Sequence, residues 1–185
     1  MSASEWRKGR LLVASPVLGD DNFHRTVVLL LEHTAEGAVG VVLNRPSGLS
    51  TRDMLPNEYT GAIPDDEVIH EGGPVDPESV ILLADFLEID DRLGLAVGTI
   101  GVVDPSTDFA TLPARIRAIR AFGGYSGWAP GQLEAEIDDE AWIDAVCMPS
   151  DVFTEEPDRL WSEVLDRKGG NYRLVARMPL DPSLN

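Results

Sequence analysis

The fold is decided by two apolar runs on either side of a polar loop: Thr26-Val27-Val28-Leu29-Leu30-Leu31-Glu32, then His33-Thr34-Ala35-Glu36-Gly37, then Ala38-Val39-Gly40-Val41-Val42-Leu43. The first run begins with three β-branched residues and is almost wholly apolar, which is typical of a central strand buried on both faces. The loop contains a glycine and returns the chain. The two runs therefore predict an antiparallel hairpin.

Further strand patterns surround this hairpin. Strands are predicted over 10–15, 67–71, 79–84, 93–103 (with a bend or bulge), 114–122, 141–147 and 172–177. Helices are predicted over 51–55, from Pro130 onward, and over 157–167. Strands outnumber helices and early neighbours pair as hairpins. We therefore expect an α+β (mixed α/β) fold with a largely antiparallel sheet and a few flanking helices.

The chain has 185 residues, the size of one domain, and we expect residues 1–185 to form a single unit. Its net charge is −17, from 32 acidic and 15 basic residues. A field of this sign repels nucleic acid and anionic lipid, which counts against a nucleic-acid interface over most of the surface. A basic cluster stands at Arg115, Arg117 and Arg120.

Cysteine usage bears on the compartment. The one cysteine, Cys147, lies in an apolar run, which excludes an internal disulfide and favours a core position. The first ten residues contain no apolar segment of a signal peptide, and the apolar runs are too short to cross a membrane. We expect a cytoplasmic protein without a membrane partner.

The most informative stretch runs from Gly123 to Glu136. Its glycines predict a turn over 123–128, and Pro130 followed by Gln132 and Glu134 predicts a helix start. Gly124-Tyr125-Ser126-Gly127-Trp128 approaches the nucleophile elbow of hydrolases, which requires Gly-x-Ser-x-Gly. Trp128 occupies the position of the last glycine, so the motif fails.

Other catalytic and cofactor motifs are also missing. The histidines, His24, His33 and His70, have no metal-site spacing, because Pro74 stands where His-Glu-x-x-His needs its second histidine. Neither a dinucleotide-binding nor a P-loop glycine pattern occurs. We predict no metal and no cofactor. Phe122, Tyr125 and Trp128 stand close together, and both core packing and a recognition surface are open to them.

The ordered motifs resemble a known family. These are Gly9 to Pro16, Asp21 to His33, Gly40 to Pro46, Gly72 to Val75, and Gly124 to Glu136 with Trp142 beyond. They are similar to the AlgH/YqgE family of bacterial proteins, and only 99–118 departs from the pattern. The resemblance implies a bifurcated, partly barrel-like sheet with flanking helices. The family has no established enzymatic activity for the resemblance to imply. One member's name comes from a proposed role in transcriptional regulation of exopolysaccharide synthesis.

The sequence is compatible with three hypotheses about the function. The leading hypothesis is a regulatory or interaction protein that binds an unknown protein partner. The second is a small-ligand-binding protein or an enzyme, with a site where three motifs converge. The third is a DNA-associated transcriptional regulator, ranked last because of the charge. The candidate binding residues are Asn44, Arg45, Gly72, Gly73, Tyr125, Trp128, Gln132 and Glu134.

Overall fold

Ten strands join in one sheet in the described part of the chain. The computed structural model describes residues 6–56, 59, 61–64, 66–89 and 93–179. The prediction that the first ten residues lack a signal-peptide segment therefore falls, for residues 1–5, outside the described residues. The strands are β1 (Arg10–Ala14), β2 (Val27–Thr34), β3 (Gly37–Val42), β4 (Pro46–Ser50), β5 (Val68–Glu71), β6 (Val75–Phe86), β7 (Gly94–Val97), β8 (Ile100–Val102), β9 (Ile116–Trp128) and β10 (Trp142–Val146). The helices are α1 (Thr51–Met54), α2 (Gln132–Asp138), α3 (Pro149–Val152), α4 (Pro157–Lys168) and α5 (Tyr172–Ala176).

The sheet is open, with the strand order β10-β1-β2-β3-β9-β6-β8-β7, and it does not close into a barrel. The predicted hairpin is confirmed as β2 and β3, with Leu29 opposite Val41. Both faces of β2 are buried from Val27 to Leu31. The predicted α+β class with a largely antiparallel sheet is confirmed.

The sheet divides at β9. One edge of β9 pairs with β6 over most of its length. The other edge pairs with β3 near its end, where Gly40 lies opposite Ser126. Further back it pairs in parallel with β5, where His70 lies opposite Phe122. β4 then pairs with β5 alone. The bifurcation therefore places the antiparallel pair β4–β5 beside the pair β6–β9.

Three hydrophobic clusters form the core of the protein. The α4 cluster joins β1, β2 and β9 to Leu160, Trp161, Val164 and Leu165 of α4. This is the i, i+1, i+4, i+5 pattern of an amphipathic helix, as predicted. The α2 cluster covers the other face of β1 and β2 and includes Leu133 of α2. The β6 cluster contains Ile69, Leu82 and Ile119.

Some local predictions were wrong. Residues 172–176 form the helix α5, not a strand, because they follow the Gly169-Gly170 break and pack on α4 rather than on the sheet. Residues 93–103 form two strands, β7 and β8, joined by a turn. Arg115 lies in a 3-10 turn before β9.

Candidate functional site

β9 continues through the glycine-rich segment that was predicted as a turn. Residues 123–128 belong to the strand, and the predicted turn is wrong. Gly124 has φ +68° and lies opposite a bulge in β6, which pairs Val75 with Tyr125 and resumes pairing only at Val80 with Gly123. The glycines thus let a long strand bend without leaving the sheet. The predicted helix that follows is confirmed as α2.

Main-chain hydrogen bonds bring three of the sequence motifs together. The Gly72 N–H donates to Gly123 O at 2.8 Å, and Gly72 O accepts from Val42 N at 2.9 Å. The Ser126 hydroxyl, which is fully buried, also donates to Gly72 O at 3.2 Å. A Cβ atom on Gly72 would lie 2.3 Å from Gly124 O. The junction of β3, β5 and β9 therefore requires glycine at position 72.

Asn44 and Arg45 bind main-chain groups near this junction. The Asn44 side chain accepts from Val27 N at 2.9 Å and donates to Arg25 O at 2.9 Å. The Arg45 guanidinium donates to the carbonyl oxygens of the short helical turn at Asp21, Asn22 and His24. Both side chains therefore stabilise the segment that leads into β2, through its main-chain groups.

Glu136 of α2 holds a cluster of aromatic side chains. Its Oε2 accepts from Trp128 Nε1 at 2.8 Å and from Trp142 Nε1 at 2.7 Å. Its Oε1 accepts from Gln132 Nε2 at 2.8 Å. Phe23 packs against both indoles, with ring centroids 6.5 Å and 5.3 Å away. Trp128 is only 7% exposed, so it belongs to the core.

Glu134 joins the same helix to the β2–β3 hairpin. Its Oε1 lies 2.9 Å from His33 Nε2, and His33 Nδ1 accepts from Arg7 N at 3.0 Å. Because Nδ1 accepts, Nε2 carries the proton and donates to the carboxylate. The backbone N–H of Glu134 itself, and then His33, lower the pKa of this carboxyl group. Tyr125 is half-buried against the α4 cluster.

An open cleft lies beside the bifurcation and encloses about 440 Å³. Its floor is Gly123 on β9 with Ile69 of β5, and its mouth carries Leu49, Met54 and Val80. The remaining lining residues are Ser47, Leu55, His70, Glu71, Gly73, Pro77 and Glu78. Of the eight predicted binding residues, Gly73 alone lines this cleft; that the other seven bind a ligand stays a prediction.

Strand register defines which side chains face the cleft. Gly123 lies opposite Glu71 of β5 and opposite Val80 of β6, and paired residues project from the same face of a sheet. A Cβ atom on Gly123 would contact Pro77 O at 3.5 Å and Ile69 Cγ2 at 3.6 Å, which are ordinary contact distances. The missing side chain of Gly123 therefore keeps the cleft floor open.

The imidazole of His70 lies on the opposite face from the cleft. His70 pairs with Phe122, and their ring centroids are 5.8 Å apart. Burial and the neighbouring Arg120 lower the pKa of His70 to about 4, although Nδ1 donates to Val68 O at 3.3 Å. Arg120 in turn donates to Glu67 Oε1 at 2.9 Å. His70 is therefore neutral at physiological pH.

Other reactive groups are enclosed or engaged. Cys147 is buried, as predicted, and burial raises the pKa of its thiol to about 12. No group of three His, Cys, Asp or Glu side chains that could hold a metal occurs among the residues described. Within the same residues, none of the helices combines the length and the apolar character needed to cross a membrane.

A second cavity, of about 420 Å³, lies between β10 and α4 and is lined by Arg10, Arg167 and Lys168. Arg10 forms two hydrogen bonds with Asp144, and Arg167 forms two with Asp151. Arg167 and Lys168 also donate to carbonyl oxygens of β10. These basic side chains therefore cover the edge strand β10. Because they already have partners inside the protein, we regard this cavity as a weaker candidate for a ligand site than the apolar cleft.

The comparisons with known proteins identify the family. A model described as AlgH-like matches residues 11–173. The chain belongs to the AlgH-like family. It is 41% identical to a UPF0301 protein of Streptomyces coelicolor, over 96% of this chain and 94% of that protein. A second UPF0301 protein, from Streptomyces avermitilis, is 43% identical over the same shares of the two chains.

Two solved structures are similar to this chain in fold. The crystal structure of protein DIP2367 from Corynebacterium diphtheriae has a TM-score of 0.85 and 27% identity, over 96% of this chain and 95% of that one. The solution structure of the AlgH protein from Pseudomonas aeruginosa has a TM-score of 0.72 and 30% identity, over 97% of both. The family resemblance seen in the sequence is confirmed.

Sequence reasoning missed most of the cleft. Leu49, Met54, Val80, Glu71 and Glu78 stand in three separate segments that carry no recognisable motif. The sequence signal that could have indicated this site is the presence of two apolar residues, Leu49 and Met54, in an otherwise polar segment. Without the parallel pairing of β5 with β9, nothing in the sequence joins those residues to Gly123.

Proposed function

We propose that the protein acts by binding another protein, and that the cleft beside Gly123 receives an apolar side chain of that partner. The observation that carries the proposal is the exposure of Leu49, Met54 and Val80, which are 49%, 54% and 39% exposed at the mouth of one concavity. Exposed apolar side chains gathered around a cleft are typical of interaction sites.

The polar groups of the cleft favour binding over catalysis. Among its described lining residues the hydroxyl of Ser47 donates to Ile69 O at 2.7 Å. The remaining polar side chains that face the cleft are Glu71 and Glu78, and no hydroxyl or thiol among the described lining residues is hydrogen-bonded to a histidine or a carboxylate. A covalent or acid–base reaction needs a nucleophile or a proton donor held close to a base. We therefore infer a binding site. We also infer a cytosolic protein, because a single cysteine cannot form the internal disulfides that are common in exported proteins.

A small-ligand-binding function is the second candidate. The cleft volume of about 440 Å³ falls in the range of small-molecule sites, roughly 300–1,000 Å³. A DNA-associated regulator ranks last, because the net charge is −17. Of the three clustered arginines, Arg117 forms an ion pair with Asp85 and Arg120 with Glu67.

Peptide selection tests the proposal directly. Random peptides of about twelve residues, displayed on phage, are selected on the immobilised protein, and synthetic copies are titrated by fluorescence anisotropy. The decisive variant is Gly123→Val, which places a side chain on the cleft floor. Gly127→Val is the matched control, since it lies on the same strand, is exposed, and has no contact closer than 3.6 Å for its Cβ atom.

We expect Gly123→Val to weaken binding at least about tenfold, because one buried apolar side chain contributes about 1.5–3 kcal/mol and 1.4 kcal/mol is tenfold. Gly127→Val should change the affinity less than about twofold. Thermal unfolding of both variants shows that each is folded. Equal affinity in the two variants, or no selected peptide at all, contradicts the proposal. A screen of small metabolites that stabilises the wild type and not Gly123→Val would favour the second candidate.

A further inference from the structure

Two carboxylates of the cleft are left without a partner inside the protein. Within the described residues, Glu71 and Glu78 form no hydrogen bond or ion pair through their side chains, and both are exposed. Three other acidic groups of this chain, by contrast, have basic partners: Glu134 with His33, Asp144 with Arg10, and Asp151 with Arg167. The carboxylates at the cleft are thus free to meet an external charge.

The two carboxylates approach the cleft from different strands. Glu71 ends β5 and shares a sheet face with Gly123. Glu78 lies in the part of β6 between the paired residues Val75 and Val80, where the strand arches away from β9. No lysine or arginine is among the lining residues that the structure describes. The cleft therefore combines apolar walls with uncompensated negative charge.

We propose that the partner segment presents a lysine or arginine next to its apolar side chain, and that Glu71 and Glu78 select this basic residue. This inference rests on the proposed function. Lysine and arginine bury their apolar stems against apolar surface while the charged head stays in water. Leu49 and Met54 offer that surface at the mouth, and the carboxylates offer the counter-charge. The net charge of −17 accelerates the approach of a basic segment and opposes a second copy of this chain.

A charge-exchange cycle on selected peptides tests the inference. In each peptide that binds the wild type, every lysine or arginine is replaced by glutamine. Both forms are titrated against the wild type, against Glu71→Gln/Glu78→Gln, and against Asp138→Asn/Glu155→Gln. The last variant removes the same charge from exposed positions that do not line the cleft, so it controls for the overall field of the protein.

We expect the basic peptides to bind the wild type about threefold to tenfold more tightly than their glutamine forms, the range for one or two exposed ion pairs. This advantage should disappear in Glu71→Gln/Glu78→Gln and persist in Asp138→Asn/Glu155→Gln. Neutral peptides that bind as tightly as basic ones, while remaining sensitive to Gly123→Val, overturn the charge inference and leave the proposed function standing. Peptides that are insensitive to Gly123→Val overturn both.

Discussion

Replacing Glu136 by alanine is expected to destabilise the fold strongly, although the residue lies in a short surface helix. One carboxylate accepts hydrogen bonds from two indole N–H groups and one amide. Trp128 and Trp142 are 7% and 3% exposed, so the loss of Glu136 leaves two nearly buried donors unpaired. An unpaired buried donor costs about 1–3 kcal/mol. We expect Glu136→Ala to lower the free energy of unfolding by about 3 kcal/mol, and Tm by about 6–12 °C for a chain of this size.

Urea unfolding followed by tryptophan fluorescence measures this loss. Asp138→Ala is the matched control, because Asp138 is exposed on the same helix and should change stability by less than about 0.5 kcal/mol. Glu136→Gln should fall between the two variants, since an amide oxygen still accepts from the indoles while its NH₂ group faces that of Gln132. If Glu136→Ala is no less stable than Asp138→Ala, the reasoning that this motif holds the fold together is refuted.

Three further predictions concern stability and reactivity. Gly72→Ala should unfold the protein or lower its free energy of unfolding by more than about 3 kcal/mol, because the new Cβ would lie 2.3 Å from a carbonyl oxygen. Gly19→Ala is the control, since its Cβ meets nothing within 4 Å. Expression and thermal unfolding compare the two variants, and equal stability would contradict the close packing at position 72. The pKa of His70 is about 4 in the fold against an ordinary value of 6.5, so the unfolded chain takes up the proton first and stability falls as the pH drops below 6.5. Between about pH 7.5 and about pH 5 this loss is at most about 2 kcal/mol; urea titrations should show a smaller loss in His70→Gln and an unchanged one in His24→Gln. The thiol of Cys147, with its pKa raised to about 12, should react with a thiol reagent only on unfolding, and rapid labelling of the native protein would contradict its burial.

The hairpin of β2 and β3 could be predicted because each signal was local. The run from Thr26 to Leu31 is apolar on both faces, and the structure buries both faces of β2. The amphipathic pattern of α4 was equally direct. The turn predicted over 123–128 failed because glycine indicates either a turn or a strand bulge, and the pairing of β9 with β3, β5 and β6 decides between them.

The candidate site depended on long-range contacts. Gly72 and Gly73 were identified in the sequence, and the structure brings them to the junction and to the cleft edge respectively. Trp128 and Gln132 were conspicuous for their residue types, yet their polar atoms bond to Glu136 and to neighbouring main chain. The most conspicuous motif in the sequence thus supplies hydrogen bonds that hold α2 to the sheet. The cleft is built from residues of ordinary type whose proximity only the bifurcated sheet creates.

The position of a bound peptide tests the central claim most directly. In a ¹H–¹⁵N NMR titration with a selected peptide, the account predicts that the largest shifts occur at the amides of Leu49, Met54, Ile69, Val80 and Gly123. The indole N–H signals of Trp128 and Trp142 should stay in place, because both are bonded to Glu136. Shifts concentrated on those indoles and on α2, with the cleft amides unchanged, would contradict the account.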